Sequence, residues 1–382
     1  MQVNKKNEFH FEPDWYRGIE YPKEQERGYD FNEDLYVPGF FEVDITKGES
    51  VVFSAGISNV STNKLKQIFQ HEVNDRTPRD SFYHCLKNSA HQFHNKQGDC
   101  HYILAGYPWF KCRARDLFVS LPGLTLAIDE PEEFEDVMET AQKTLRCYMN
   151  NIPVDCKIYE LDDPDVLLWA VWALQQYAKE TTREKCRIKY GDLLLEIIDF
   201  IRKGKHNNLF LHENGLLYTH GANKPVTWMN STIDGHPVIP RTGYVVEVNA
   251  LWYNALRFVA DMLREDENPS LADTLDALAQ KTAVSFVETF RNEYGYLLDF
   301  VDGNMMDWSV RPNMIFTVAF DYSPLDKIQK KQVLDIVTKE LLTPKGLRSM
   351  SPKSVGYNLH SVGLLRERDS AYHQGTAWPW LM

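Results

Sequence analysis

Apolar and polar residues follow two different rhythms along this chain, and the change of rhythm divides it. Over residues 39–57, GFFEVDITKGESVVFSAGI, they alternate around Lys47-Gly48, the pattern of strand, turn and strand. Two or three strands do not make an independent domain. Residues 1–58 therefore predict a β segment, either an extension of the main body or the tail of a larger β-domain. From about residue 62 the spacing becomes helical. It predicts helices over 62–74, 79–95, 116–128, 132–150, 163–180, 183–203, 245–265, 270–293, 313–320 and 326–342, with another opening near 374. The 132–150 helix opens on Pro131-Glu132-Glu133, and the 183–203 helix closes on Lys203-Gly204, both regular end signals.

These helices are of two kinds. DVLLWAVWALQQYA (165–178) and VVEVNALWYNALRFVADML (245–263) are apolar round most of their circumference, whereas their neighbours are amphipathic. A helix apolar all round is buried, and an amphipathic one faces water on one side. Buried and half-exposed helices in alternating pairs predict an inner ring wrapped by an outer one, a mainly α fold of the α/α-barrel type over residues 59–382. No residue pattern recurs at a fixed period, so the repeat is architectural.

The loops leading into the inner helices of such a barrel open at one end, and here they are rich in polar chemistry. They read AGYPWFKCRARDLFVSLPGL (105–124), YELDDPDVLLW (159–169), PRTGYVVEVNALWYN (240–254), DWSVRPNMIF (307–316) and RDSAYHQGTAWPW (368–380). No phosphate-cradling glycine motif, zinc-protease motif or nucleophile elbow is present. Carboxylates, amides, guanidinium groups and indoles around a cup suit a carbohydrate, because bidentate groups fix vicinal hydroxyls and indoles stack on a sugar ring.

Composition sharpens that picture. Aromatic residues reach 13%, with 19 Tyr, 20 Phe and 9 Trp, although core packing accounts for most of them. A net charge of −12 leaves no Lys/Arg surplus to displace counterions from phosphates, which argues against a nucleic-acid binder. The six cysteines show no CxxC and no His/Cys metal spacing, and read as reduced, buried thiols of a cytoplasmic protein. No window reaches the ~18 apolar residues a bilayer span needs, and the N-terminal residues lack an apolar signal core. Neither a cofactor nor a metal is expected.

Five ordered stretches carry a resemblance. AGYPWF…RDLFVSLPGLTLA, NGLLYTHG…VTWMNSTIDGHPVIPRTGYVVEVNALWYNAL, RPNMIF, ELLTPKGLRSMSPK and YHQGTAWPWL closely resemble the glucosidase domain of bacterial and archaeal glycogen debranching enzymes. The resemblance covers roughly residues 60–381, and residues 27–57 look like the last strands of the β-domain that precedes the barrel in those proteins. It implies inverting hydrolysis of α-1,6-linked glucose at branch points of glycogen or limit dextrin. That reaction needs an acid and a base carboxyl group ~6.5–9.5 Å apart.

The resemblance also implies individual roles. Arg115-Asp116 matches a pair that holds hydroxyls of the terminal glucose, and Asp165 matches a residue leading into the second inner helix. Trp228, Arg241, Glu247, Asn249, Trp252, Arg311, Asn313, His373, Gln374 and Trp378 fall on the remaining positions expected to bind or line, and Trp109, by its place in a loop, is a further candidate to line the cup. Two departures stand out. The family's presumed acid is an Asp after Trp-Met, and here Trp228-Met229 is followed by Asn230. The family's base is a Glu in a loop beyond the YHQGTAWPWL stretch, expected beyond Met382 together with the last helical pair. Asp234 or Glu247 then stands as a substitute acid, and the 382-residue polypeptide itself is expected to be nearly inactive.

Each residue has a plain reading beside the functional one. Arg115, Asp116 and Asp165 suit a helix first turn. Asp234 and Asn230 suit a loop. His373 and the tryptophans suit a core. Glu247 opens so apolar a helix that its carboxylate must be paired or line a cavity. At the level of function, the alternatives are a catalytically silent carbohydrate-binding protein, to which Asn230 is native, or a glycosidase of other specificity on the same barrel.

Overall fold

The computed structural model describes residues 1–5, 8–26, 29–106, 110–153, 157–265 and 269–381. They form two compact units, Met1–His91 and Gln92–Met382. In the first unit, Gln2–Val3 pairs with Phe53–Ser54, Glu8–His10 with Phe40–Glu42, and Asp14–Glu20 with Asn32–Val37, all antiparallel. Lys47-Gly48 does make the expected turn, closed by Glu49 N–H donating to the Thr46 carbonyl (3.0 Å). The strands on either side of it pair with N-terminal strands rather than with each other. A hairpin reading looks only at local alternation and cannot see partners placed earlier in the chain. Helices Leu65–Asn74 and Phe82–His91 complete this unit.

The second unit is mainly helical. Its largest helices are Pro131–Met149, Val166–Glu180, Arg183–Arg202, Val246–Glu265 and Pro269–Phe290, close to the ranges that the periodicity predicts. Ala114–Leu124, Val166–Glu180, Val246–Glu265 and Phe316–Ala319 pack in succession against one another, and the amphipathic helices pack on them. Local chemistry explains several boundaries. Thr182 caps Arg183–Arg202 by accepting from Lys185 N–H (3.1 Å), and Asp326 with Gln329 forms a capping box on Lys327–Glu340. One continuous apolar core runs through the unit, with Phe134 stacked on Tyr177 (4.9 Å, 16°) between neighbouring helices.

Three departures from the helical expectation position the site. The stretch up to residue 95 does not stay helical: His94–Gln97 and Cys100–Ile103 form an antiparallel hairpin around Gly98. The aperiodic region before residue 245 supplies strands Phe210–Leu211, Leu217–Thr219 and Gly243–Val245. With Phe300–Asp302 and Met305–Met306 these make a five-stranded antiparallel sheet in that order. Gly243 lies at φ +105, and a Cβ there would sit 2.2 Å from the Val301 carbonyl oxygen, so only glycine lets these strands approach. Nor does a helix open near 374. Gly375 at φ +146 turns the chain, and Ala377–Trp378 joins Gly346–Arg348 as an edge strand before Pro379.

Candidate functional site

One short pairing assembles the centre of the site. Cys112–Arg113 and Ile158–Tyr159 run parallel, side by side, just ahead of the helices that begin at Ala114 and Val166. This brings Arg115 against Asp165. Arg115 Nε and Nη2 donate to the two Asp165 oxygens (2.8 Å each), and Nη2 also donates to Asp163 (2.8 Å). Trp169 Nε1–H adds a bond to Asp165 (3.1 Å). Burial raises the Asp165 carboxyl above its ordinary range, against the pull of Arg115. A buried carboxylate in this position is stable only because each of its oxygens is bonded.

Beside this cluster lies a cavity of about 460 Å³. Its apolar lining includes Phe93, Leu104, Phe110, Trp228, Trp378 and Trp380. Its polar groups are Arg113, Arg115, Asp116, Ser120 and Asn230. The indoles form a cage: Trp228 meets Trp378 at 5.6 Å and Trp380 at 5.3 Å, each near edge-on, and Tyr372 stands edge-on to Trp378 at 5.1 Å. Flat rings at several inclinations with a few convergent polar atoms are features that suit a ligand cavity.

Arg113 ties the polar wall together. Its Nε donates to Glu160 (2.8 Å) and lies 3.8 Å from Asp116. With its amide turned so that both ends are satisfied, Asn230 donates to the Trp228 carbonyl (3.3 Å) and accepts from Arg113 Nη2 (3.0 Å). Among the described residues Asp116 is the one carboxylate that lines the cavity. Burial raises its pKa from the ordinary 3.8, with Glu160 and Asp163 assisting and Arg113 and Arg115 opposing. A carboxyl group with a raised folded-state pKa favours folding below its unfolded value, and that contribution is lost as pH rises through the folded value. At neutral pH its ionisation therefore opposes folding. Asp116→Asn is expected to raise the urea midpoint relative to wild type at pH 7 and to lose that advantage as pH falls to the ordinary carboxylate range. Parallel urea titrations at several pH values check it, and a variant less stable at pH 7 contradicts it.

Behind the cavity lies a buried ion network. Arg241 bonds both oxygens of Glu247, pairs with Asp299 (2.8 Å), and donates to Thr227 (2.9 Å). Asn313 Nδ2 donates to Asp299 (2.7 Å), while its oxygen accepts from Trp228 Nε1–H (2.7 Å). Arg311 donates to the His373 carbonyl (3.0 Å) and the Gln374 amide oxygen (3.1 Å). The indole of Trp228 is thus tethered to the network, which fixes one face of the cavity.

The sequence-derived residues sort by this geometry. Arg115, Asp116, Trp228, Asn230 and Trp378 line the cavity. Glu247, Arg241, Arg311 and Asn313 stand behind it, and Glu247, which is 1% exposed, has both oxygens on Arg241. Asp165 is spent on Arg115. Asn249 clamps the sheet, accepting from Leu217 N–H (2.7 Å) and donating to the Leu217 and Val245 carbonyls (3.0 Å each). Trp252 is fully buried and donates to the Gly215 carbonyl (3.2 Å). Asp234 occupies the turn of the Thr232–Pro237 hairpin at φ +51, exposed on a separate groove that Gln374 shares. His373 is packed between Trp228 and Trp378, its ring nitrogens without hydrogen bonds. Burial, with the nearby charges of Arg311 and Arg241, lowers its pKa to about 3, so the imidazole is neutral. Trp109 lies outside the described residues.

Sequence reasoning passed over Asp299, Trp380 and Tyr372. Asp299 had a signal, since a lone acid in the apolar run YLLDFV needs a partner. Cys112 and Cys186 are buried as expected, whereas Cys100 and Cys147 are half-buried and Cys85 is exposed; Cys156 lies outside the described residues. Among the described residues no helix is long and apolar enough to cross a membrane.

No curated protein matches the chain. Residues 1–52 match the model for the glycogen debranching enzyme N terminal, and residues 83–382 match the model for amylo-alpha-1,6-glucosidase. With most of its length covered, the chain belongs to the amylo-alpha-1,6-glucosidase family of glycogen debranching enzymes, a family of glycoside hydrolases.

Proposed function

We propose that the cavity receives the glucosyl unit attached through an α-1,6 bond at a branch point of glycogen or limit dextrin. The helix pairs around it then correspond to the (α/α)6 barrel of the six-hairpin glycosidases, and the setting is the cytoplasm. The observation that carries this reading is that the indole cage and the Arg115-Asp116 pair line one cavity. An apolar ring face and a row of hydroxyls have complementary partners there.

Hydrolysis with inversion calls for a proton donor to the leaving oxygen and a base on the opposite face. Asn230 holds the donor's place, and a carboxamide has no proton to deliver. Asp116, with its raised pKa, is the cavity's own acidic group. In this reading it grips hydroxyls, and the chain as it stands holds its glucan far better than it cleaves it. That favours carbohydrate binding without turnover as the second reading of the same cavity.

Calorimetric titration with a phosphorylase limit dextrin tests the shared core of both. Wild type is expected to bind, and Trp380→Ala to bind about tenfold more weakly, a loss of ~1.4 kcal/mol. Absence of binding, or an unchanged affinity in Trp380→Ala, removes the assignment of this cavity.

A further inference from the structure

The hairpin that replaces the end of an expected helix meets the helix Pro131–Met149 through an unusual set of groups. Lys96 pairs with His101 and His94 with Ile103 across the hairpin, so both histidines project from the same face. The backbone N–H of His101 donates to Thr140 Oγ1 (2.9 Å), which holds that face on the helix. Glu133 and Asp136, three residues apart in the first turns of the helix, project beside each other toward it.

One imidazole nitrogen of His101 and one oxygen each from Glu133 and Asp136 lie within 4.8 Å of one another. His101 Nδ1 is 3.5 Å from Asp136 Oδ2. Zinc bonds to nitrogen and oxygen of ~2.0–2.2 Å place tetrahedral ligands about 3.4 Å apart, so this edge is already formed. A second imidazole stands at the rim, with His94 Nδ1 3.7 Å from Glu133 Oε2. As plain ion pairs these contacts stabilise little, because they are long and the carboxylates are half exposed. As ligands they balance: two carboxylates neutralise a doubly charged cation and a neutral imidazole adds a donor. Imidazole with carboxylate suits zinc and its neighbours, whereas magnesium and calcium prefer oxygen alone.

We propose that His101, Glu133 and Asp136 form a binding site for a divalent transition cation of the zinc class, stapling the 94–103 hairpin to the helix Pro131–Met149. No metal spacing shows along the chain because the ligands come from two elements brought together only by folding. The staple bears on the cavity as well. Leu104 N–H donates to the Phe93 carbonyl (2.9 Å) at the open end of the hairpin, and both residues belong to the cavity wall. A bound cation therefore stiffens that wall without touching the glucan.

The test titrates the full chain, first stripped with a chelator, with Zn²⁺ alone. Saturable binding is expected, along with a Zn²⁺-dependent rise in the thermal midpoint. Co²⁺ in place of Zn²⁺ should give the visible absorption of a low-coordinate nitrogen–oxygen site. His101→Ala and Asp136→Asn are each expected to weaken binding at least tenfold and to abolish the midpoint rise. Asp136→Asn keeps shape and helix spacing, so a metal-free midpoint near wild type shows that it folds. No saturable Zn²⁺ binding, or equal affinity in wild type and both variants, overturns the site.

Discussion

Asn230→Asp is expected to raise glucose release from limit dextrin by a factor of ~10²–10⁴, the usual worth of a positioned general acid. The substituted carboxyl group keeps the amide's size and its neighbour Arg113, and it faces the cavity beside the aromatic cage. Arg113 tends to hold such a group ionised, so the gain should be largest on the acid side of the pH profile, where more of it is protonated. α-Glucosyl fluoride separates acid catalysis from other effects, because fluoride leaves without a proton. On that substrate the two proteins should differ by no more than about tenfold. Measured rates that are equal on limit dextrin would remove position 230 from the chemistry. A gain of the same size on both substrates would point to improved binding rather than proton transfer.

Arg241→Met should cost about 3–5 kcal/mol of stability, the penalty for leaving a buried partner unpaired. The substitution strips both oxygens of Glu247 of their guanidinium and removes the closest cation from Asp299. Urea denaturation reads the loss directly. The double variant Arg241→Met/Glu247→Leu should lose less than the single one, since it removes the orphaned charge as well, and Asp299 retains Asn313 and Arg311. A single variant that loses under about 1 kcal/mol would show that water reaches this network. The same variant should weaken limit-dextrin binding, because Asp299 and Asn313 hold the indole of Trp228.

Helical spacing made the large helices legible because their apolar stripes are long and their ends carry local caps, as at Thr182 and Gly204. The five-stranded sheet was not legible: its strands are two or three residues long, too short for alternation to register, and its pairing spans Phe210 to Met306. Residue types and the resemblance singled out Arg115, Asp116, Trp228, Asn230 and Trp378, which line the cavity. What neither could give was depth. Glu247 and Asn230 both fall in family-matched stretches, yet one is sealed behind the wall and the other faces the cavity. Only packing decides which oxygen meets a guanidinium and which meets the ligand.

The parallel pairing of Cys112–Arg113 with Ile158–Tyr159 has an evolutionary consequence. Surface connections ordinarily tolerate gained and lost residues, but these two are laced together immediately before the arginine and the aspartates it grips. Lengthening either by one residue would reverse which side of the lacing each following side chain occupies, so drift in one connection is confined to changes of residue type unless the other changes in step.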